Sequence, residues 1–351
     1  MDPCLANILH NQPVGFEQAR QVIKAVESQA GALLDLMAVA RLQSVGPPVF
    51  SCGIINAKSG HCQEDCAFCA QSIRNQADAL THSGFNDNFG AVLISNVTAN
   101  PRKQADALAV YPLLDADTLC RRAERLASQG VDYMGIVTSG TAPTEQDFAK
   151  ILAAALLIKK QVGIKLCASL GLLDHSKALA LKQAGFTSYH HNLETAASFF
   201  PTICSTHGFN QRLATVRYAK AAGLRVCCGG IFGLGESWEQ RIELAMTLRE
   251  LDVDSIPINF LNPIAGTIFE RCGPLKPFTA MAIIALFRLL HPARDLVICG
   301  GRTYNLGHWE NMVFSAGANG IMVGDYLTTA GGNFNKDMDM FNVLGLKGRD
   351  R

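Results

Sequence analysis

The sequence lacks any apolar run near the roughly 20 residues that a membrane-spanning helix requires. It also lacks a strong charge of either sign, because 31 Lys and Arg residues oppose 30 Asp and Glu residues and leave a net charge of +1. Without a basic excess, nucleic acid is not an expected partner. Residues 1–10 lack the basic region and long apolar stretch of a signal peptide. These absences predict a cytoplasmic protein that binds neither membrane nor nucleic acid.

Apolar residues make up 48% of the chain and charged residues 17%, which is typical of a globular protein and excludes a disordered one. The chain has 351 residues, whereas one hydrophobic core is complete at about 250–300 residues, so we expect one large domain with an elaboration. Residues 16–42 have helical apolar spacing and stop before Gly46-Pro47-Pro48. The predicted division is therefore an N-terminal helical extension over 1–48 and a main domain over 49–351.

Short β-like runs alternate with amphipathic helical stretches through the main domain. The eight predicted strands are 50–56, 131–138, 164–169, 187–192, 225–231, 255–260, 296–300 and 320–324. This alternation predicts an α/β fold, a parallel (β/α)8 TIM-type barrel whose chemistry lies just after each strand. A doubly wound sheet is the alternative, but no G-x-G-x-x-G motif opens a helix after the first strand. The long stretch 75–119 is predicted to be a lid, an interface element or a surface excursion.

Twelve cysteines are unusual for a chain without an export signal. Cys62, Cys66 and Cys69 form a C-x3-C-x2-C motif directly after the first strand. Three such thiolates can bind three irons of a cubane cluster and leave the fourth iron open. Structural zinc is the alternative, but it requires four ligands, and His61 is too close to Cys62 in sequence to join the same metal well. The default interpretation, an ordinary buried thiol, applies to Cys4, Cys120, Cys204 and Cys272.

The cysteine motif in a barrel chain resembles the radical S-adenosylmethionine family, and the wider sequence is similar to the biotin synthases. The resemblance covers roughly residues 50 to 346. It includes segment 55–60, YHHNLET at 189–195, VCCGGIFGLGE at 226–236, segment 256–259, and the tail segments 316–320 and 327–329 with Gly324. Biotin synthases insert sulfur between two unactivated carbons of dethiobiotin. The resemblance therefore implies a radical sulfurtransferase.

The resemblance also implies the roles of individual residues. A [4Fe–4S] cluster on the three cysteines would bind S-adenosylmethionine and cleave it reductively, giving a radical that abstracts hydrogen from the substrate. The implied partners are dethiobiotin, a flavodoxin or ferredoxin as reductant, and a second copy of the chain in a homodimer. The matching positions are Phe68 (adenine), Asn192 and Glu194 (substrate and ribose), Arg212 (methionyl carboxylate), Asn259 (substrate), and Lys58 (substrate or cluster loop). Without the resemblance, Arg212 is an ordinary surface arginine, and the two asparagines are turn caps.

The family takes its sulfur from an auxiliary cluster, in its familiar form a [2Fe–2S] cluster on three cysteines and one arginine. Cys167 and Cys227 match two of these cysteines, and Cys227, like Cys62, Cys66 and Cys69, is also predicted to act in catalysis. The third cysteine aligns with Gly135, and the arginine aligns with Val297. Here the sequence departs from the pattern of the family.

A different thiol lies close to the lost arginine position. Cys299 follows Val297 by two residues, so the two side chains share one face of the strand. We therefore predict a rearranged site of Cys167, Cys227 and Cys299, with a larger cluster. Segments 262–264 and 299–302 are similar to a variant group of biotin synthases from anaerobic organisms. Cys228 is expected to point toward the helices, and Arg302 is too far along the chain to be assigned.

Three alternatives remain open from the sequence. If Cys299 and Cys228 are only small buried side chains, the auxiliary cluster is lost, and a related radical reaction such as methyl transfer or cofactor maturation follows. Another sulfur insertion, of the lipoyl type, is the second alternative. A non-catalytic iron–sulfur carrier is the third, although a carrier has no need of residues that contact a sugar and a carboxylate.

Overall fold

Helices and parallel strands alternate along the chain, as the apolar pattern predicts. The computed structural model describes residues 14–43, 48–75, 109–324, 326 and 334–344. Most of the predicted lid or interface segment at 75–119, and the tail segment at 327–329, lie outside these residues. The described strands are β1 (Phe50–Lys58), β2 (Tyr133–Thr138), β3 (Lys165–Ser169), β4 (Ser188–His190), β5 (Arg225–Cys227), β6 (Gly230–Phe232), β7 (Ser255–Phe260), β8 (Asp295–Ile298) and β9 (Gly320–Met322).

The helices occupy the intervals between these strands and the N-terminal region. They are α1 (Phe16–Ser28), α2 (Ala30–Gln43), α3 (Ala116–Ser128), α4 (Glu145–Gln161), α5 (His175–Ala184), α6 (Phe209–Ala221), α7 (Trp238–Glu250), α8 (Pro277–Leu290), α9 (Arg302–Leu306), α10 (Met312–Ser315) and α11 (Phe334–Val343). Short 3₁₀ turns lie at Phe200–Thr202 and Gly307–Trp309. No described helix combines the length and the apolar character that crossing a membrane requires.

The strands close into a parallel barrel, which confirms the predicted fold class. Their order is β5-β4-β3-β2-β1-β9-β8-β7-β6, and an additional β5–β7 pairing completes the ring. β5 and β6 both pair with β7 and are separated only by Cys228 and Gly229. They therefore count as one interrupted strand of an eight-stranded barrel. At Gly229 an added Cβ would lie 2.0 Å from the carbonyl oxygen of Pro257. A glycine therefore allows the close approach of the two strands at this interruption.

Side chains alternate between the barrel lumen and the helix layer, and glycines identify the two faces. An added Cβ at Gly53 would meet the side chain of Leu126 on α3, whereas one at Gly135 would meet Ile54. On β1, the even-numbered residues therefore face the lumen and the odd-numbered ones face the helices. The core between strands and helices consists of the residues that point outward, among them Ile55, which is 4% exposed.

The N-terminal region forms two helices within the segment of helical apolar spacing. Gln29 adopts an extended conformation, with φ of −137° and ψ of 120°, and separates α1 from α2. α1 contacts α7 and α8, and α2 contacts α8. Buried apolar side chains of α1, such as Val22 and Ile23, belong to the main core. The boundary of the extension at residue 48 stays a prediction.

Candidate active site

The loop after β1 carries Cys62, Cys66 and Cys69, and its backbone folds back on itself. The N–H of Cys62 donates to the carbonyl oxygen of Gln71 over 3.0 Å. The Asn75 side-chain amide donates to the carbonyl oxygens of Cys66, at 3.3 Å, and Cys69, at 2.9 Å. Because these bonds satisfy backbone groups around the motif, the loop is organised by contacts that do not use the thiols. None of the three thiols forms a disulfide.

The cysteine loop is attached to the segment that follows β4. The carboxylate of Asp65 accepts hydrogen bonds from the backbone N–H groups of Ser205, at 2.9 Å, and Thr206, at 3.1 Å. Arg74 forms an ion pair with the other carboxylate oxygen at 3.0 Å. The loop is thereby held at the C-terminal ends of β1 and β4, the edge where barrel active sites form.

Cys204, interpreted from the sequence as an ordinary buried thiol, lies against the motif. Its Sγ is 3.9 Å from Sγ of Cys66 and 3.4 Å from Nδ1 of His207. One ligand atom from each of these three residues lies within 4.8 Å of the others, so the group could hold a metal ion. Sequence separation hid this contact, because more than 130 residues divide Cys66 from Cys204. By contrast, the side chain of His61 is exposed.

Arg212 on α6 is buried beside the end of β4. Its guanidinium donates to the carbonyl oxygen of Asn192 at 2.8 Å and to Nε2 of His207 at 3.0 Å. It also lies 3.4 Å from Oε1 of Glu194 and over the ring of Phe200. With 8% exposure, it is not the ordinary surface arginine of the alternative interpretation. The structure thus brings the predicted Arg212, Asn192 and Glu194 together.

Glu194 has the features of a ligand-binding carboxylate. Its backbone is in the left-handed region, with φ of 69°, which is uncommon for a residue other than glycine. Its Oε2 atom is buried without a hydrogen-bond partner among the described residues. Burial raises the pKa of this carboxyl, although the nearby Arg212 opposes the effect. An unpaired buried acceptor fits a hydroxyl donor from a bound molecule, such as the ribose of a nucleoside.

Asn192 and Asn259 both bond to backbone groups at the mouth of the barrel. The Asn192 Oδ1 atom accepts from the N–H of Gly229 at 3.1 Å. The Asn259 amide donates to the carbonyl oxygen of Gly230 at 3.1 Å and accepts from the N–H of Gly300 at 3.0 Å. The capping roles of both residues are therefore real. Each amide retains further hydrogen-bonding capacity toward the barrel mouth.

The two other predicted binding residues lie near the cysteine loop. Lys58, the last residue of β1, forms an ion pair with Asp147 at 2.8 Å. Phe68 is half-buried and packs against an apolar group that contains Phe200 and Leu234. These contacts show where both side chains lie, and a role toward a substrate or an adenine stays a prediction.

Deeper in the lumen, the structure places Cys167, Cys227 and Cys299 on inward-facing positions. They follow the alternation of β3, β5 and β8, in which Leu166, Val226 and Ile298 point outward into the core. Burial raises the pKa of Cys167 to about 11 and that of Cys299 to about 12. The pKa of Cys227 is likewise raised by burial and by the charges of neighbouring thiols.

The structure also locates two residues near these thiols. Cys228 is 0% exposed and belongs to the core between strands and helices, as its place after Cys227 predicts. Arg302 is also 0% exposed, and its guanidinium lies 2.6 Å from Asp337 and 3.3 Å from Glu310. Its Nη1 atom is buried without a hydrogen-bond partner among the described residues. These contacts show where the guanidinium lies, and they assign Arg302 no role toward a cluster.

A thiol that the sequence analysis did not consider, Cys52 on β1, also faces the lumen. It packs against a group formed by Phe50, Tyr133, Val297 and Cys299. Strand alternation along β1 was the signal that could have identified it. The lumen thus contains several free thiols that are partly or fully buried, and thiolates are the ligands that iron–sulfur clusters prefer. This donor set fits such a cluster.

Two family models match the chain. The model of the Radical SAM superfamily matches residues 58–248, and that of the Biotin and Thiamin Synthesis associated domain matches residues 257–347. The first begins at the last residue of β1 and covers the cysteine loop and β2 to β6, and the second begins within β7 and covers β8 and β9.

Curated relatives are similar over nearly the whole chain. A biotin synthase from Nitratidesulfovibrio vulgaris (strain Miyazaki F) is 50% identical over 329 residues, which are 90% of this chain and 82% of that protein. One from Syntrophotalea carbinolica is 46% identical over 94% of this chain and 92% of that protein. Among solved structures, methylornithine synthase has a TM-score of 0.78 at 17% identity and covers 99% of this chain and 97% of its own, which supports the fold.

Proposed function

The chain belongs to the biotin synthase family of radical S-adenosylmethionine enzymes, and from this membership we propose which of its residues carry the reaction. It is a radical enzyme that inserts sulfur into dethiobiotin to form biotin. Its cofactors are a [4Fe–4S] cluster, S-adenosylmethionine and an auxiliary iron–sulfur cluster, and it requires an electron donor.

Cys62, Cys66 and Cys69 hold the [4Fe–4S] cluster. Support comes from their free thiols at the barrel mouth and from the loop contacts through Asn75 and Asp65. When bound, such a cluster would supply the electron for the reductive cleavage of S-adenosylmethionine.

Glu194, Arg212 and Phe68 position S-adenosylmethionine beside that cluster. The unpaired Oε2 of Glu194 would accept from a ribose hydroxyl, and the backbone of Phe68 would contact the adenine. Arg212 attracts the methionyl carboxylate, while its contacts with Asn192 and His207 fix its orientation. Lys58 stabilises the end of β1 through Asp147.

Cys167, Cys227 and Cys299 hold the auxiliary cluster, which is the sulfur donor. Asn192 and Asn259, at the barrel mouth, would orient the substrate. The observation that carries the proposal is the convergence of free thiols on one lumen, at strand positions where alternation directs them inward.

The test is quantitation of iron and acid-labile sulfide, with Mössbauer spectra, on anaerobically reconstituted protein. We compare the wild type with Cys299→Ala and with the control Cys120→Ala, which removes a buried thiol of α3 outside the lumen. The wild type and the control should carry two clusters, and Cys299→Ala should retain only the one on Cys62, Cys66 and Cys69. A wild type with a single cluster would refute sulfur donation by this route.

Three finer predictions rest on family membership alone. The electron donor is a flavodoxin or ferredoxin, the chain forms a homodimer, and it acts in the cytoplasm. Each is testable independently of the cluster ligands.

A further inference from the structure

We propose that Cys52 is a fourth thiolate ligand of the auxiliary cluster, together with Cys167, Cys227 and Cys299. The inference rests on the proposed auxiliary cluster and extends its ligand set to a residue on the first strand. Each thiol loses its proton to solvent as its sulfur binds iron, and no electron is transferred in this step.

The direction of the Cys52 side chain follows from its neighbours on β1. Gly53 faces α3, because an added Cβ there would meet Leu126 at 2.9 Å. Phe50, two residues before Cys52, makes an edge-to-face contact with Tyr133 at 5.6 Å between ring centres within the lumen group. Cys52 shares the face of Phe50, so its thiol points into the barrel.

Strand register places Cys52 level with Cys167. Cys52 pairs with Tyr133 on β2, and Tyr133 pairs with Lys165 on β3. In a barrel of eight tilted strands and shear 8, residues at the same height advance by about one position per strand. On β3, two strands away from β1, the residue at the same height as Cys52 is therefore two positions beyond Lys165. That residue is Cys167.

The same step, repeated around the barrel, reaches the next thiol. Cys167 pairs with Ser188 and Ser188 with Arg225, so the level residue on β5 is Cys227. Lumen layers of such barrels receive their side chains from alternate strands. Cys52, Cys167 and Cys227 are thus three members of one four-membered layer.

The layer closes on the fourth alternate strand. Cys227 pairs with Ser255 and Ser255 with Asp295, so the fourth member is Val297. Val297 cannot bind iron, but Cys299 lies two residues further along on the same face. The fourth thiol therefore stands two residues nearer the barrel mouth than the other three, and it packs in the same lumen group as Cys52.

The competing interpretation of Cys52 is a small apolar side chain that fills the wall. Its height in the barrel argues against this, because a filler could occupy any layer. Cys52 occupies the layer that already contains two proposed ligands, and it packs with the third.

The test uses anaerobically reconstituted full-length protein with Cys52→Ala, Cys52→Ser and the control Cys228→Ala. Cys228 directly follows Cys227 and is buried, but its side chain faces the helices. Iron and sulfide per chain are quantified, and Mössbauer spectra separate the two clusters. S-adenosylmethionine cleavage without dethiobiotin reports an intact first cluster and fold.

If Cys52 is a ligand, Cys52→Ala should reduce the auxiliary iron to below about half of the wild-type content while cleavage persists. Cys52→Ser should retain more iron than Cys52→Ala, with a changed isomer shift at one iron, because an oxygen replaces sulfur. Wild-type iron and unchanged spectra in both Cys52 variants would overturn the inference alone. A wild type with one cluster would overturn it together with the proposed sulfur donor.

Discussion

Nδ1 of His190 lies 3.4 Å from Sγ of Cys227, across the pairing of β4 with β5. Both side chains face the lumen, and burial lowers the pKa of His190 to about 4. The imidazole is therefore neutral at physiological pH and can donate one N–H to the sulfur. The structure thus places His190 directly beside a proposed cluster ligand.

Loss of this contact should weaken the auxiliary cluster. Groups that hydrogen-bond to metal ligands typically change metal affinity or activity by about 10–100-fold when removed. We expect a loss of activity in this range for His190→Ala. The reduction potential of the auxiliary cluster should become more negative, because an N–H donor stabilises the electron-rich reduced form. His190→Gln, which retains an N–H donor, should restore part of both, as measured by assay and by potentiometric titration. An unchanged potential in His190→Ala would contradict the role.

Arg212→Lys should impair the binding of S-adenosylmethionine more than the turnover of bound enzyme. Lysine cannot maintain the planar fork that joins the Asn192 carbonyl oxygen, His207 and the ligand carboxylate. We expect the KM for S-adenosylmethionine to rise about tenfold or more, equivalent to about 1.4 kcal/mol. The matched control is Arg217→Lys, at an exposed position of α6. Equal effects in the two variants would remove Arg212 from the site.

Gly301→Ala should destabilise the barrel near the proposed cluster. Gly301 has a φ of 73°, and an added Cβ would lie 1.9 Å from the carbonyl oxygen of Phe260. Left-handed strain and this steric overlap should together lower the free energy of unfolding by at least about 2 kcal/mol. Gly163→Ala, where no atom lies within 4 Å of an added Cβ, is the control. Denaturant titration checks both, and equal stabilities would contradict the prediction.

Asp174 should make part of the stability depend on pH at acid values. Its carboxylate caps α5 and accepts from the Ser176 hydroxyl at 2.6 Å and the Lys177 N–H at 2.8 Å, and these bonds lower its pKa. Because the folded-state pKa lies below the unfolded value of about 3.9, the contribution is complete above that value. It is lost as the pH falls through the folded-state pKa.

Two variants check this pH dependence by denaturant titration. At neutral pH, Asp174→Ala should cost about 1 kcal/mol. Asp174→Asn retains an uncharged cap, so the stability advantage of the wild type over it should shrink below pH about 4. An advantage that stays constant from pH 6 to pH 3 would show that the Asp174 charge does not matter.

Local patterns were sufficient for much of the architecture. The alternation of strands and helices predicts the barrel, because apolar periodicity reflects which face of each element is buried. The C-x3-C-x2-C spacing identifies one cluster loop, since its three thiols are close in the chain and need only one turn to converge. The break between α1 and α2 at Gln29 was missed, because helical apolar spacing continues through it.

The sequence by itself determined the fold class, the family and the loop of Cys62, because each depends on short-range order along the chain. Only the tertiary structure decided that Cys204 lies against Cys66 and that Cys52 is level with Cys167 and Cys227. Those relations depend on strand register and barrel tilt, which connect residues more than 100 positions apart. Alternation shows which face a side chain occupies, but its height in the barrel is set by all eight strands together.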